Sequence, residues 1–122
     1  AFFSSSRLTL NVTRRAMVHL GWCPSGRLFE AAACRTAILS DDWPGLHAFY
    51  TPGEQILLAR TTEEALGALD SSDADIERIA LRAYERTLAE HTSQHRARTL
   101  LAMLEDAFTC RERASSAATI GS

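Results

Sequence analysis

The run Ser25-Gly-Arg-Leu-Phe-Glu-Ala-Ala-Ala-Cys-Arg-Thr-Ala-Ile-Leu-Ser-Asp41, entered through Pro24, decides the fold. Its opening is a helix start: the Ser25 hydroxyl can cap the free amides of the first turn, and Gly26 lets another group approach the backbone closely. At about 100° per residue, Leu28, Phe29, Ala32 and Ala33 fall on one stripe, with Gly26, Arg27, Glu30 and Cys34 on the flank beside it. The helix therefore has an inside and a working edge. Thr36 to Leu39 then reads as a short buried parallel strand that opens at Ser40-Asp41 into a polar loop. A helix amino-terminus, a carboxylate one turn in and a strand ending in Ser-Asp are the parts of an anion site at the edge of an α/β sheet.

Upstream, Arg7-Leu-Thr-Leu-Asn-Val12 alternates and is rich in β-formers, which predicts a first strand closed by the Thr13-Arg14-Arg15 turn. Ala16 to Leu20 predicts a helical turn before the Gly21-Trp22-Cys23-Pro24 loop. Downstream, Asp41-Asp42-Trp43-Pro44-Gly45 is a turn, Leu46 to Tyr50 a short helix, and Thr51-Pro52-Gly53 a second turn. Glu54 to Ala59, centred on Ile56-Leu57-Leu58, is the third strand. Strands alternating with helices imply right-handed crossovers and a parallel sheet, so the expected class is α/β: a partial, Rossmann-like sheet of about three strands.

The second half reads as helical. Thr61-Thr62-Glu63-Glu64 has the spacing of a capping box, and the helix it opens is expected to bury Leu66 and Leu69. Ser72-Asp73-Ala74-Asp75 opens the next, with Ile76, Ile79, Ala80, Ala83 and Thr87 at helical spacing. A third begins near Thr92 and lines up Ala97, Leu100, Leu101, Leu104 and Phe108, a stripe that needs a partner surface. Residues 1–110 are thus expected to form the domain, as a piece of a longer chain, and the small polar residues of 111–122 a flexible tail.

With 122 residues the chain makes one domain, small for an enzyme that must hold two substrates. All 13 basic residues are Arg, against 15 acids. Up to residue 50 there are five Arg and three acids, and beyond it eight Arg and twelve acids, so a slight positive excess surrounds the candidate site. That is too weak for a nucleic-acid reader but suits a small anionic ligand. Cys23, Cys34 and Cys110 form no C-x-x-C pair and are odd in number, which points to a reducing, cytoplasmic compartment. No apolar run reaches a membrane-spanning length.

Four ordered segments carry a resemblance: Gly26-Arg27-Leu28-Phe29-Glu30-Ala31-Ala32-Ala33-Cys34; Ile38-Leu39-Ser40-Asp41 with Trp43; Thr51-Pro52-Gly53-Glu54-Gln55-Ile56-Leu57; and Glu90-His91-Thr92 with Arg96. Together, from about Ser6 to Leu104, they resemble the carboxy-terminal domain of GT-B-fold glycosyltransferases, nearest the spore-maturation-protein-like branch. The resemblance implies a Rossmann-like half-enzyme that binds a nucleotide-diphosphate sugar and works against an amino-terminal acceptor domain of the same polypeptide. It implies that Glu30 holds the ribose hydroxyls, that the amides of Ser25, Gly26 and Arg27 meet the diphosphate, and that Arg27, with Arg14 or Arg15, adds cationic contacts. Helix dipole and arginines would stabilise the leaving group, so no metal and no cofactor beyond the donor are expected. Without its acceptor domain the chain is expected to be inactive, and the stripe from Ala97 to Phe108 to find a substitute partner, a second copy.

Two positions depart from the pattern. Trp22 stands where many retaining members carry the first of two glutamates, which leaves the stereochemical outcome open. Arg35 stands where the family has Gly after the Cys, which places a non-Gly residue at a left-handed helix end. Both suit an alternative, a non-catalytic nucleotide- or partner-binding module that kept the fold and lost the chemistry. Plainer readings also exist: Glu30 as a rim carboxylate paired with Arg27 or Arg35, Asp41 and Asp42 as turn residues, and His91 and His95 as capping and surface groups. Trp43 is then a plug under its turn, Cys34 a small core residue, and His19 a distant candidate proton carrier.

Overall fold

The structure is a computed structural model that describes the backbone of residues 2–120 and the side chains of residues 2–111. The chain divides into two compact units, residues 1–89 and 90–122. The first is α/β. A 3-10 turn at Phe3–Ser5 leads into β1 (Leu8–Asn11), followed by α1 (Arg15–Leu20), α2 (Gly26–Ala33), β2 (Ala37–Ser40), a second 3-10 turn (Leu46–Ala48) and β3 (Leu57–Leu58). Helices α3 (Thr62–Leu69) and α4 (Asp73–Glu90) follow, and α5 (Ser93–Ile120) makes up almost all of the second unit.

The three strands form one parallel sheet in the order β1-β2-β3. Leu8 pairs with Ala37 and Asn11 with Ser40, while Leu39 and Ser40 pair with Leu57 and Leu58. The third strand is therefore shorter than Glu54 to Ala59 suggests: Thr51-Pro52-Gly53 coils back on Gln55 and Ile56, with the Gly53 N–H on the Ile56 carbonyl at 2.8 Å. Every residue of β2 is buried, as a strand covered on both faces must be.

One face packs Ile38 against Leu28, Ala31 and Ala32 of α2, with Trp43, Leu46, Tyr50, Ile56 and Ala83. The other packs Ala37, Leu8 and Leu57 against Ile76 and Ala80 of α4. Each large aliphatic side chain fully buried in this way contributes roughly 1.5–3 kcal/mol. All five positions of the α4 stripe, Ile76, Ile79, Ala80, Ala83 and Thr87, are buried. Thr87 donates to the Ala83 carbonyl at 2.7 Å, so its oxygen is left to accept from the buried Tyr50 hydroxyl, also at 2.7 Å.

Three expectations about burial are corrected. On α2 the third buried position is Ala31, and Ala33 is exposed, because the core lies nearer the Leu28–Ala31–Ala32 arc than the Phe29–Ala33 side. Cys34, the residue that closes α2, is exposed rather than part of the core. Leu66 and Leu69 are exposed, and α3 buries no residue at all. It is fastened at its ends instead. Thr61 caps it by accepting from the Glu64 N–H, Glu64 accepts from the Arg60 N–H, and Arg60 reaches Asp42 at 2.6 Å. At the other end Arg7 donates to the carbonyls of Leu69 and Ser71 and to Asp73.

α2 ends in a left-handed turn. Arg35 has φ 54°, its N–H bonds the Ala32 carbonyl and the Thr36 N–H bonds the Ala31 carbonyl, each at 3.0 Å, the pattern of a Schellman motif. The departure from Gly is thus adopted with its strain, and the Arg35 guanidinium lies 6.0 Å from the Tyr84 ring centroid. The helical backbone of α5 extends to Ile120, through most of the expected tail. Gly121 and Ser122 lie outside the described residues.

Candidate anion site at the strand ends

Because β1 and β2 are parallel, both deliver their carboxyl ends to one edge of the sheet, and α2 begins beside that edge. There a cavity of about 250 Å³ opens. Asn11 from the end of β1, Val12, Thr13 and Arg14 from the following loop, and Met17 of α1 form one side. Cys23, Ser25 and Arg27 form the other.

The strand ends are braced under the cavity. The buried Asn11 side chain donates from Nδ2 to Ser40 Oγ at 3.0 Å. Asp41 accepts from both the N–H and the hydroxyl of Thr13, at 3.1 and 2.9 Å. Asp41 is thereby a turn residue, and so is Asp42, held by Arg60 and 3.5 Å from His47.

Ser25 is the N-cap of α2, its hydroxyl accepting from the Arg27 N–H at 3.3 Å. The Leu28 N–H is taken by the Ser25 carbonyl. The Arg27 amide, expected to face the diphosphate, is thus already engaged, and Gly26 is left with the free amide of the first turn among the described residues. The tip is open: Gly26 and Arg27 are exposed and Ser25 is half-buried. Arg27 extends from it to the Leu10 carbonyl at 3.3 Å, and Arg14 has no ion-pair partner among the described residues. Arg14, Arg27 and a helix amino-terminus therefore border one opening, a composition suited to an anion.

Glu30 is exposed and does not line the cavity. One of its carboxylate oxygens sits 3.8 Å from where a Cβ on Gly26 would lie, so it runs along the helix flank back toward the tip. It forms no ion pair with Arg27 or Arg35 among the described residues. Four of the expected site residues thus share the first turn and a half of α2, with Ser25 and Arg27 in the cavity, Gly26 at its lip and Glu30 behind that lip. Asn11, Thr13, Met17 and Cys23 were not anticipated; the polar end of the first strand was the signal for Asn11.

Trp22 lies against the Pro44–Gly45 turn. It is exposed, has φ 54°, and its N–H bonds the Pro44 carbonyl at 2.7 Å. A Cβ on Gly45 would lie 2.7 to 3.0 Å from three atoms of its indole, so the ring rests directly on that glycine. Trp43, one turn away, is buried as the expected plug, with its indole N–H unpaired.

His19, on α1, is exposed. In the second unit the Thr92 hydroxyl accepts from the His95 N–H at 3.3 Å and meets His95 Nδ1 at 2.6 Å, a capping arrangement. Among the described residues no three His, Cys, Asp or Glu side chains are grouped to hold a metal ion, and no helix is long and apolar enough to cross a membrane.

No curated protein and no solved structure matches the chain. Residues 1–102 match the family model described as glycosyl transferase-like, which covers the sheet, the cavity and α2 and supports a general role in glycosyl transfer: the chain belongs to that family.

Proposed function

We propose that this chain is the donor-binding part of a GT-B-fold glycosyltransferase of the spore-maturation-protein-like branch, one that moves a glycosyl group from a nucleotide-diphosphate sugar to an acceptor hydroxyl. The observation that carries the reading is the open amino-terminus of α2, with Arg27 and Arg14 beside one cavity at the carboxyl ends of parallel strands. In this reading the diphosphate meets the Gly26 amide, Arg27 and Arg14, each charge at the helix start gaining roughly 0.3–1 kcal/mol. Glu30 accepts from the ribose hydroxyls, for which a charged acceptor with no ion pair among the described residues is well suited. The departing diphosphate is stabilised by dipole and arginines without a metal. Catalysis takes place against an amino-terminal acceptor domain, so the 122 residues alone bind donor and do not turn over.

The test is a calorimetric titration with uridine and guanosine diphosphates. Binding of either that is lost in Glu30→Ala supports the reading, and sugar transfer by the isolated chain would overturn its division of labour. Trp22, locked onto Gly45 where a retaining enzyme would present an acid, favours the second reading, a binding module without chemistry. Failure of both diphosphates to bind a chain joined to its acceptor domain would decide for that module.

A further inference from the structure

Within the second unit, Leu100, Leu101, Leu104 and Phe108 of α5 are between 44 % and 61 % exposed. Ala97, Leu101, Leu104 and Phe108 recur at spacings of four, three and four, the seam of a two-heptad coiled coil. Along one flank of that seam lie Arg98 and Glu105, one heptad apart. Neither has an ion-pair partner among the described residues, and at seven positions' separation, about 10 Å along the axis, they cannot satisfy each other on one helix.

We propose that α5 docks on α5 of a second copy, antiparallel. In that orientation like flanks face one another, so Arg98 of each copy meets Glu105 of the other, two pairs related by the dyad. The same register sets Leu101 against Leu104 of the partner and the small Ala97 against the large Phe108, filling each layer with similar volume. Parallel pairing sets the Arg98–Glu105 flank against the opposite one, where Ser93 and Leu100 offer no countercharge. Charge and shape therefore select one occupant and one direction. The surface is independent of the anion site, and neither reading depends on the other.

Sedimentation equilibrium of the 122-residue chain across a concentration series reads this directly, with far-UV circular dichroism to verify that each variant keeps its helices. A reversible dimer is expected. Arg98→Glu alone and Glu105→Arg alone each turn two attractions into two repulsions and raise the dissociation constant roughly tenfold. An equimolar mixture of the two variants restores association, and so does the double variant by itself. A monomer at concentrations on the order of 1 mM, or a dimer indifferent to both charge reversals, overturns the proposal.

Discussion

The Arg27 guanidinium, carried on the first turn of α2, donates to the Leu10 carbonyl of β1 at 3.3 Å. One side chain thus links the helix tip to the strand end that together frame the cavity, and it is oriented before any anion arrives. Arg27→Ala should weaken diphosphate binding about five- to tenfold, near 1 kcal/mol, below the usual range of about 1.5–3 kcal/mol for a hydrogen bond to a charged group because the side chain is exposed. Arg27→Lys should fall between, since an ammonium lacks the planar fork that can hold carbonyl and phosphate together. Titration calorimetry gives both values, and a lysine variant that binds as tightly as the parent would contradict the argument.

Arg35 holds a left-handed conformation that costs a non-Gly residue roughly 1–2 kcal/mol. Replacing it by Gly relieves that strain but loosens the unfolded chain by about 0.4–1 kcal/mol and removes the Tyr84 contact, about 0.5 kcal/mol at an exposed site. Arg35→Gly should therefore leave stability within about 1 kcal/mol of the parent. Arg35→Val keeps the strain, adds β-branching and should destabilise by about 1–2 kcal/mol. Urea unfolding of the two variants separates them.

Gly45 combines φ 98° with an indole where its Cβ would go. Gly45→Ala should cost about 1–3 kcal/mol and loosen Trp22. The companion variant Trp22→Ala removes the clash, so the double variant should recover part of that loss. A strictly additive pair in chemical denaturation would mean that the two residues are not coupled.

Two exposed carboxylates set an acid-side dependence. The Ser72 hydroxyl, and then Arg78, hold Asp75 below its ordinary 3.8, and the Glu63 backbone N–H and the Thr61 hydroxyl hold Glu63 below its ordinary 4.5. Both values are depressed in the folded state. Their contribution is present above the ordinary values and is lost as pH falls through the lowered ones. Stability should therefore decline below about pH 4.5, and Ser72→Ala should return Asp75 toward its ordinary value. Carboxylate chemical shifts followed by NMR through the acid range would report an unmoved Asp75 if the hydroxyl is not the cause.

What could be read from the sequence follows the density of the local signal. The α4 stripe was legible in full because five apolar or small positions recur within twelve residues and leave one face for the core. Helix α2 and its Ser25 cap were legible because capping is a local rule, whereas the left-handed turn at Arg35 was expected only from the resemblance, since an Arg carries no local sign of it. Leu66 and Leu69 were misjudged because a capping box fixes where a helix begins, not whether anything lies over its face. Ala31 and Ala33 differ by about 160° around the axis, yet the arc that meets the sheet is chosen by Ile38 and Tyr50, which belong to other elements. The cavity joined the expected Ser25 and Arg27 to Asn11 and Thr13. Their places depend on hydrogen bonds to Ser40 and Asp41 across a parallel pairing that no local pattern encodes.

With no buried side chain, α3 is a strut slung between two fastenings, the Arg60–Asp42 link at one end and the three-way grip of Arg7 at the other. Its amides should exchange with deuterium well ahead of those in α2 and α4. Severing Arg7 would free a single turn-and-helix segment while the sheet stays paired, so that this molecule comes apart in stages rather than all at once.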